Sequence, residues 1–254
     1  MHVSQRTSFT GSALVRLLVR LTDIDVPDAK RSFSDRLSQW FGWTDDISLS
    51  TVMNGSPAPA PSSARASTGS AEEAELARVR AALVLAIADK NAFPHADAAM
   101  DTTADFSPHR RRYLARQQAM EMRIAPLRAH VRSRLAAKSP AMAQLAALDV
   151  VMEQVLGPKE HSLLATVPTL LGKHFERLHQ AYQAHQAAQA AQAERAERAL
   201  QDDAPDADHD YDQLHIPAAH WLDVFGKDMH AVLLAELDIR LQPVEGLLEA
   251  LRSR

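Results

Sequence analysis

The chain has 254 residues, a formal net charge of −4 and no cysteine. The lack of cysteine excludes disulfides, thiol catalysis and thiolate metal sites. Glycine is scarce, with 8 residues, whereas good helix formers such as alanine, leucine, glutamine, glutamate and arginine are abundant. This composition predicts an all-α protein: an elongated multi-helix bundle with a small N-terminal three-helix unit and a long, projecting helix.

Residues 1–54 are predicted to form the N-terminal helical unit. Thr10 is the expected N-cap of its first helix, and Thr44 is the expected N-cap of its third. Trp40 and Trp43 are expected to anchor its core. Residues 55–70 consist of Pro, Ala, Ser, Gly, Thr and one Arg, and so predict a flexible linker that cannot bury enough apolar surface to order itself.

The main helical bundle is predicted to span residues 71–254 and to start with a helix capped by Ser70 and Glu73. The run 81–88 in this helix is apolar nearly all round, which predicts a central, buried helix. No apolar run approaches the roughly 20 residues that a membrane-spanning helix needs. We therefore expect a cytoplasmic protein without a membrane span, able to associate with the inner face of the cytoplasmic membrane.

Residues 107–138 predict a basic amphipathic helix with eight arginines, one lysine and a single acid, Glu121. Ser107 is its expected N-cap, and Pro126 is expected to kink it. Arginines line both edges of its apolar stripe, which suits an anionic neighbour such as another helix, a nucleic acid or a membrane surface. The stripe comprises Tyr113, Met120, Ile124, Leu127, Val131 and Leu135, and the candidate anion-binding or partner-binding residues are Arg110, Arg111, Arg112, Arg116, Arg123 and Arg134.

The C-terminal half predicts four further helical segments. Ser139-Pro140 starts a helix that Gly157-Pro158 is expected to end, after which another helix starts. Residues 169–200 predict a long helix of ~48 Å, whose alanine- and glutamine-rich part is expected to project, with a coiled-coil arm as one interpretation. An acidic loop at 201–216, which could pair with the basic helix, then leads to a strongly amphipathic helix at 217–252.

No motif indicates a catalytic, cofactor or metal site. The pairs His174 with His179 and His215 with His220 are five residues apart, so a helix would separate each pair by roughly 140°. The segment 206–212 resembles the start of a calcium loop, but Tyr211 occupies the position that needs glycine. We expect a solvated acidic loop and a non-enzymatic protein without a cofactor, with a catalytic site of dispersed residues as the third-ranked alternative.

Four segments resemble an uncharacterised proteobacterial family of helical proteins of about this length. They are RTSFTGSALVRLL from Arg6, SDRLSQWFGWTD from Ser34, SPHRRRY from Ser107 and the helix around Trp221. The resemblance covers most of the chain and carries over no functional residues. It implies genes encoded beside those of MotA-like and OmpA-like membrane proteins of Zorya-type phage-defence systems, and therefore a cytoplasmic accessory component.

Together these observations favour an adaptor or regulatory protein that acts through helix-mediated protein–protein contacts, with a MotA-like or OmpA-like membrane protein as the expected partner. The alternative is a nucleic-acid-binding protein that uses the arginine-rich helix. That alternative lacks the exposed aromatic platform on which single-strand binders stack bases. The sequence does not indicate an oligomeric state.

Overall fold

The computed structural model describes residues 12–22, 40, 42–55, 69–89, 105–202 and 219–253. These residues form α-helices without a strand, which confirms the predicted all-α bundle. The helices of the described residues are α1 (Ala13–Thr22), α2 (Trp43–Asn54), α3 (Ser70–Ala88), α4 (Ser107–Ala136), α5 (Pro140–Leu164), α6 (Val167–Asp202) and α7 (Ala219–Arg252).

The core of the bundle is the contact between α4 and α7. Each helix has one apolar stripe at helical spacing, and burying two such stripes against each other is the main source of helix stability in a protein. All six predicted stripe residues of α4 are buried. On α7 the predicted stripe is buried at Phe225, Met229, Leu233, Leu237, Leu241, Val244, Leu247 and Leu251.

The remaining helices surround this pair. α3 packs against α4 and α7, α5 packs against α4, and α6 packs against α7. α1 contacts α6 and α7, whereas α2 contacts α5, where the Gln144 side chain donates hydrogen bonds to the carbonyls of Val52 and Met53. The two described helices of the predicted N-terminal unit thus lie against different helices of the bundle.

Helix boundaries follow local capping in some places and tertiary packing in others. Ser139 caps α5 as predicted, with its hydroxyl accepting a hydrogen bond from the Met142 amide. The predicted end at Gly157-Pro158 is wrong, because α5 continues to Leu164 with Pro158 inside it. An internal proline costs about 3 kcal/mol, and the packing of α5 against α2 and α4 offsets that cost.

Three predicted N-caps are also wrong. Thr44 lies inside α2, because that helix begins at Trp43. The residue before α3 is Gly69, with φ 76°, and no side chain caps the helix, so the predicted Ser70–Glu73 capping box does not form. Glu73 instead forms an ion pair with Arg252. At α4, Ser107 is the first helical residue, and the Asp105 carboxylate accepts the hydrogen bond of its amide.

The prediction that α3 is a central, buried helix is also wrong. α3 buries only Leu83 and Ile87 among its large apolar residues, and Leu85 is 71% exposed. Its apolar run covers the whole circumference, but α4 and α7 contact one side of it. The opposite side therefore faces away from the bundle.

The long helix agrees with its prediction, since α6 spans 36 residues. Beyond Tyr182 its residues are exposed as far as Arg195, except for the partly buried Gln189. The proposed coiled-coil arm stays a prediction. Residues 56–68 of the linker, residues 203–216 of the acidic loop and most of residues 23–41 lie outside the described residues, so the predicted domain division also stays a prediction.

Candidate partner-binding surface

The inner face of α4 carries two polar residues within its apolar stripe. Tyr113 is fully buried and Gln117 is nearly so. Both contact Glu236 of α7, whose side chain is 0% exposed. Burial and the nearby negative charge of Glu236 raise the pKa of Tyr113 far above its usual value, so the phenol remains a hydrogen-bond donor.

Glu236 lies at the centre of a buried hydrogen-bond network between α4 and α7. Its Oε2 accepts a hydrogen bond of 2.6 Å from the Tyr113 hydroxyl, and its Oε1 accepts one of 2.9 Å from Nε of Arg240. The Gln117 amide lies 3.0 Å from Oε1 and also donates to the Leu164 carbonyl. Both carboxylate oxygens are therefore satisfied, which is the condition for burying such a charge. The network holds α4, α5 and α7 together.

One edge of α4 is paired with α5. Arg128 donates to the Asp149 carboxylate through both Nε and Nη2, at 2.9 and 2.6 Å. Arg132 shares Asp149 at 3.2 Å and also contacts Glu153. Burial alone would lower the pKa of Arg128, but the hydrogen bonds and charges of Asp149 and Glu153 raise it above the usual value. These two arginines stabilise the bundle.

The other edge of α4 faces α3, where two of the six candidate arginines form internal contacts. Arg134 forms an ion pair of 2.7 Å with the buried Glu72, and Arg112 donates a hydrogen bond of 2.6 Å to the Asp89 carbonyl at the end of α3. Desolvation, and then the positive charge of Arg116, lower the pKa of Arg112. The two contacts show that α3 and α4 run antiparallel.

The other four candidates differ in exposure. Arg110, Arg111 and Arg123 are exposed, and none forms an ion pair within the part of the chain that the structure describes. Arg116 is partly buried, and its Nε and Nη2 atoms are buried without a hydrogen-bond partner in the part of the chain that the structure describes. The structure therefore divides the six arginines between internal contacts and separate surface positions, and does not gather them into one patch.

The outer face of α3 is apolar and α4 exposes one large apolar side chain almost fully, features that the sequence reasoning missed. On α3, exposed apolar residues recur at alternating spacings of three and four, the pattern of a helix-packing seam. Leu85 is 71% exposed beside this seam, and Met122 on α4 is 70% exposed. The signal was present in the alanine spacing of Ala74, Ala77, Ala81, Val84 and Ala88.

A second polar cluster joins α1, α6 and α7. The buried His174 lies 2.8 Å from Asp228 through Nε2, and its Nδ1 accepts a hydrogen bond of 3.0 Å from Arg177. Since Nδ1 is the acceptor, Nε2 carries the proton and donates to Asp228. Arg177 also donates to the Leu21 carbonyl of α1. Both ring nitrogens are thus engaged in holding three helices together.

None of the described residues forms a group of three or more His, Asp or Glu that could hold a metal ion. The part of the chain that the structure describes also contains no helix long and apolar enough to cross a membrane. The arrangement defines an all-α bundle with a buried polar network, internally paired arginines and an apolar outer face.

The chain belongs to the family described as protein of unknown function (DUF3348), whose model matches residues 1–253. The match covers the whole bundle as well as the segments outside the described residues, in agreement with the uncharacterised family that the sequence resembled. No curated protein and no solved structure matches the chain.

Proposed function

We propose that the protein is a non-enzymatic adaptor that binds a helix of a partner protein on the outer face of α3 and α4. The observation that carries this proposal is the exposure of Leu85 beside the alanine seam of α3, together with the exposure of Met122 on α4. Exposed apolar residues at this helical spacing favour a protein contact, because each one costs free energy in water. Small residues along the seam allow a second helix to approach closely.

The distribution of charge supports a protein partner over a nucleic acid. Arg128, Arg132 and Arg134 form ion pairs with acidic residues of α3 and α5, so the net charge that α4 offers at the surface is smaller than its sequence suggests. A duplex-binding surface needs many free cations, because neutralised phosphates provide most of its affinity. The exposed Arg110, Arg111 and Arg123 suffice to steer an acidic protein surface towards the apolar face.

The family resemblance gives the proposal a location. The resemblance implies that genes for MotA-like and OmpA-like membrane proteins of Zorya-type systems lie beside those of this family. We therefore place the adaptor in the cytoplasm, at the inner face of such a membrane assembly. The partner would contribute an amphipathic helix from the cytoplasmic part of one of these proteins.

Photocrosslinking in cells tests this proposal. A photoreactive amino acid replaces Leu85 or Met122 in the full-length protein, and the matched control carries it at Asp223, which is exposed on α7. We expect crosslinks to the neighbouring MotA-like or OmpA-like protein from the first two positions and none from the control. Crosslinks of equal yield from all three positions, or no crosslink to either membrane protein, would overturn the proposal.

The nucleic-acid alternative requires a separate measurement, because Arg110 and Arg111 remain exposed. Binding of the purified protein to short single- and double-stranded DNA and RNA is measured across a salt series, beside Arg110→Glu/Arg111→Glu. This variant leaves the Arg112 contact with Asp89 intact. Salt-sensitive binding that is lost in the variant would replace the adaptor proposal with nucleic-acid binding, whereas no binding supports a protein partner.

A further inference from the structure

We infer that Arg116 binds a carboxylate of the partner helix, in a site between α4 and the end of α3. The inference rests on the proposed adaptor function, and it names the chemistry that the partner must supply. Its basis is a comparison between two arginines on the same helix, Arg116 and Arg128. They present the same pair of nitrogen atoms, Nε and Nη2, but within the described ranges only the pair of Arg128 has hydrogen-bond partners.

Nε and Nη2 of an arginine lie on one side of the guanidinium and match the two oxygens of a carboxylate. In Arg128 this pair holds Asp149 at 2.9 and 2.6 Å. In Arg116 both atoms are buried and have no hydrogen-bond partner among the described residues. Burying charged donors without a partner costs free energy, so a carboxylate at this position would remove an existing penalty.

The charge around Arg116 also favours an anion. Arg112 lies one helical turn away, and the positive charge of Arg116 helps to lower its pKa. Arg112 uses Nη2 to bind a neutral carbonyl, that of Asp89, so this contact does not neutralise its charge. The Asp89 carboxylate favours the charged form of Arg112 and offsets part of the positive charge. Among the described residues these three groups leave one net positive charge, which a single carboxylate balances and a phosphate dianion would exceed.

The position of Arg116 connects this site to the apolar face. α3 and α4 run antiparallel, with Asp89 level with Arg112. Leu85 lies four residues before Asp89, and Arg116 lies four residues after Arg112. Because the two helices are antiparallel, both steps run in the same direction along the bundle, so Leu85 and Arg116 lie at the same level. Arg116 is only partly buried, so its guanidinium lies near the surface, and binding requires its Nε and Nη2 atoms to turn towards the partner. A helix that packs on Leu85 can then place an Asp or Glu against Arg116.

Nuclear magnetic resonance of the arginine side chains tests the site in the full-length protein. The Nε–Hε signal of Arg116 is assigned with Arg116→Lys and followed during titration with succinate, a hexaglutamate peptide and inorganic phosphate at constant ionic strength. We expect a saturable shift with succinate and with the peptide. Because Arg112 adds a second charge, Arg112→Gln should weaken binding about fivefold.

Arg123 provides the internal control, since it is exposed on the same edge of α4 and forms no ion pair with the described residues. No saturable shift at Arg116, or an equal shift at Arg123, would overturn the site. Tighter binding of phosphate than of succinate would overturn its assignment to carboxylates. A carboxylate response without crosslinks from Leu85 would refute the adaptor function but not the site, and the reverse result would refute only the site.

Discussion

The hydroxyl of Tyr113 donates a hydrogen bond of 2.6 Å to Oε2 of Glu236, 123 positions later in the chain. Both side chains are fully buried, one on α4 and the other on α7. An apolar stripe alone allows two helices to slide along each other, whereas a buried polar pair is satisfied in one register only. This bond therefore helps to fix how the two central helices pack.

Replacing Tyr113 with phenylalanine tests the contribution of this bond to stability. Tyr113→Phe removes the donor but keeps the ring, and leaves the buried Glu236 carboxylate with one hydrogen bond fewer. We expect the free energy of unfolding in urea to fall by about 2 kcal/mol, the range for a hydrogen bond to a charged group. Tyr182→Phe is the control, because Tyr182 lies on the partly exposed part of α6, and an equal loss there would contradict the prediction.

The same tyrosine predicts a pH dependence. Burial and the charge of Glu236 raise the pKa of Tyr113 in the folded protein, so the unfolded chain releases this proton at lower pH than the folded one. The contribution of Tyr113 to the free energy of unfolding is then fully present below about pH 10, the ordinary pKa of tyrosine, and is lost as the pH rises above that value.

We therefore expect the stability advantage of the wild type over Tyr113→Phe to be constant between pH 7 and 9. Above pH 10 it should shrink by about 1.4 kcal/mol per pH unit. Urea unfolding of both proteins at matched pH values measures this difference, and other tyrosines and lysines cancel in the comparison. A difference that stays unchanged up to pH 11 would show that Tyr113 ionises equally in both states.

The sequence predicted the buried stripes because helical periodicity is a local property. The partners of the polar groups could not be predicted in this way. Glu236 interrupts an apolar run, which indicates that it is buried, but its donors Tyr113 and Gln117 lie on another helix. The sequence likewise predicted correctly on which sides of α4 the arginines lie. Which of them pair with Asp149 or Glu72 and which remain exposed depends on how α3 and α5 pack.

Removing the Asp149 carboxylate, which forms ion pairs, should reduce stability more than removing an exposed carboxylate. Asp149→Asn leaves Arg128 and Arg132, whose side chains are only 14% and 13% exposed, without their shared negative charge. Removing one partner of a largely buried ion pair is costly, and we expect about 3 kcal/mol in urea unfolding. Asp223→Asn, at an exposed position of α7, should change stability by less than about 0.5 kcal/mol; a similar loss in both variants would contradict the structure.

Two helical glycines predict opposite effects of the same substitution. At Gly172 on α6, an added Cβ would lie 3.2 Å from Cδ1 and Cε1 of Phe106, closer than ordinary contact, whereas at Gly226 on α7 nothing lies within 4 Å. Alanine is the better helix former by about 1 kcal/mol, so Gly226→Ala should raise the free energy of unfolding by about that amount.

At Gly172 the ring of Phe106 must move, and it packs against Phe175 and Phe225 at centroid distances of 5.7 and 6.1 Å. Overpacking of this kind costs about 1–3 kcal/mol, so Gly172→Ala should give no gain or a net loss. Thermal and urea unfolding of both variants measure the contrast, and an equal gain at both positions would show that Phe106 yields without cost.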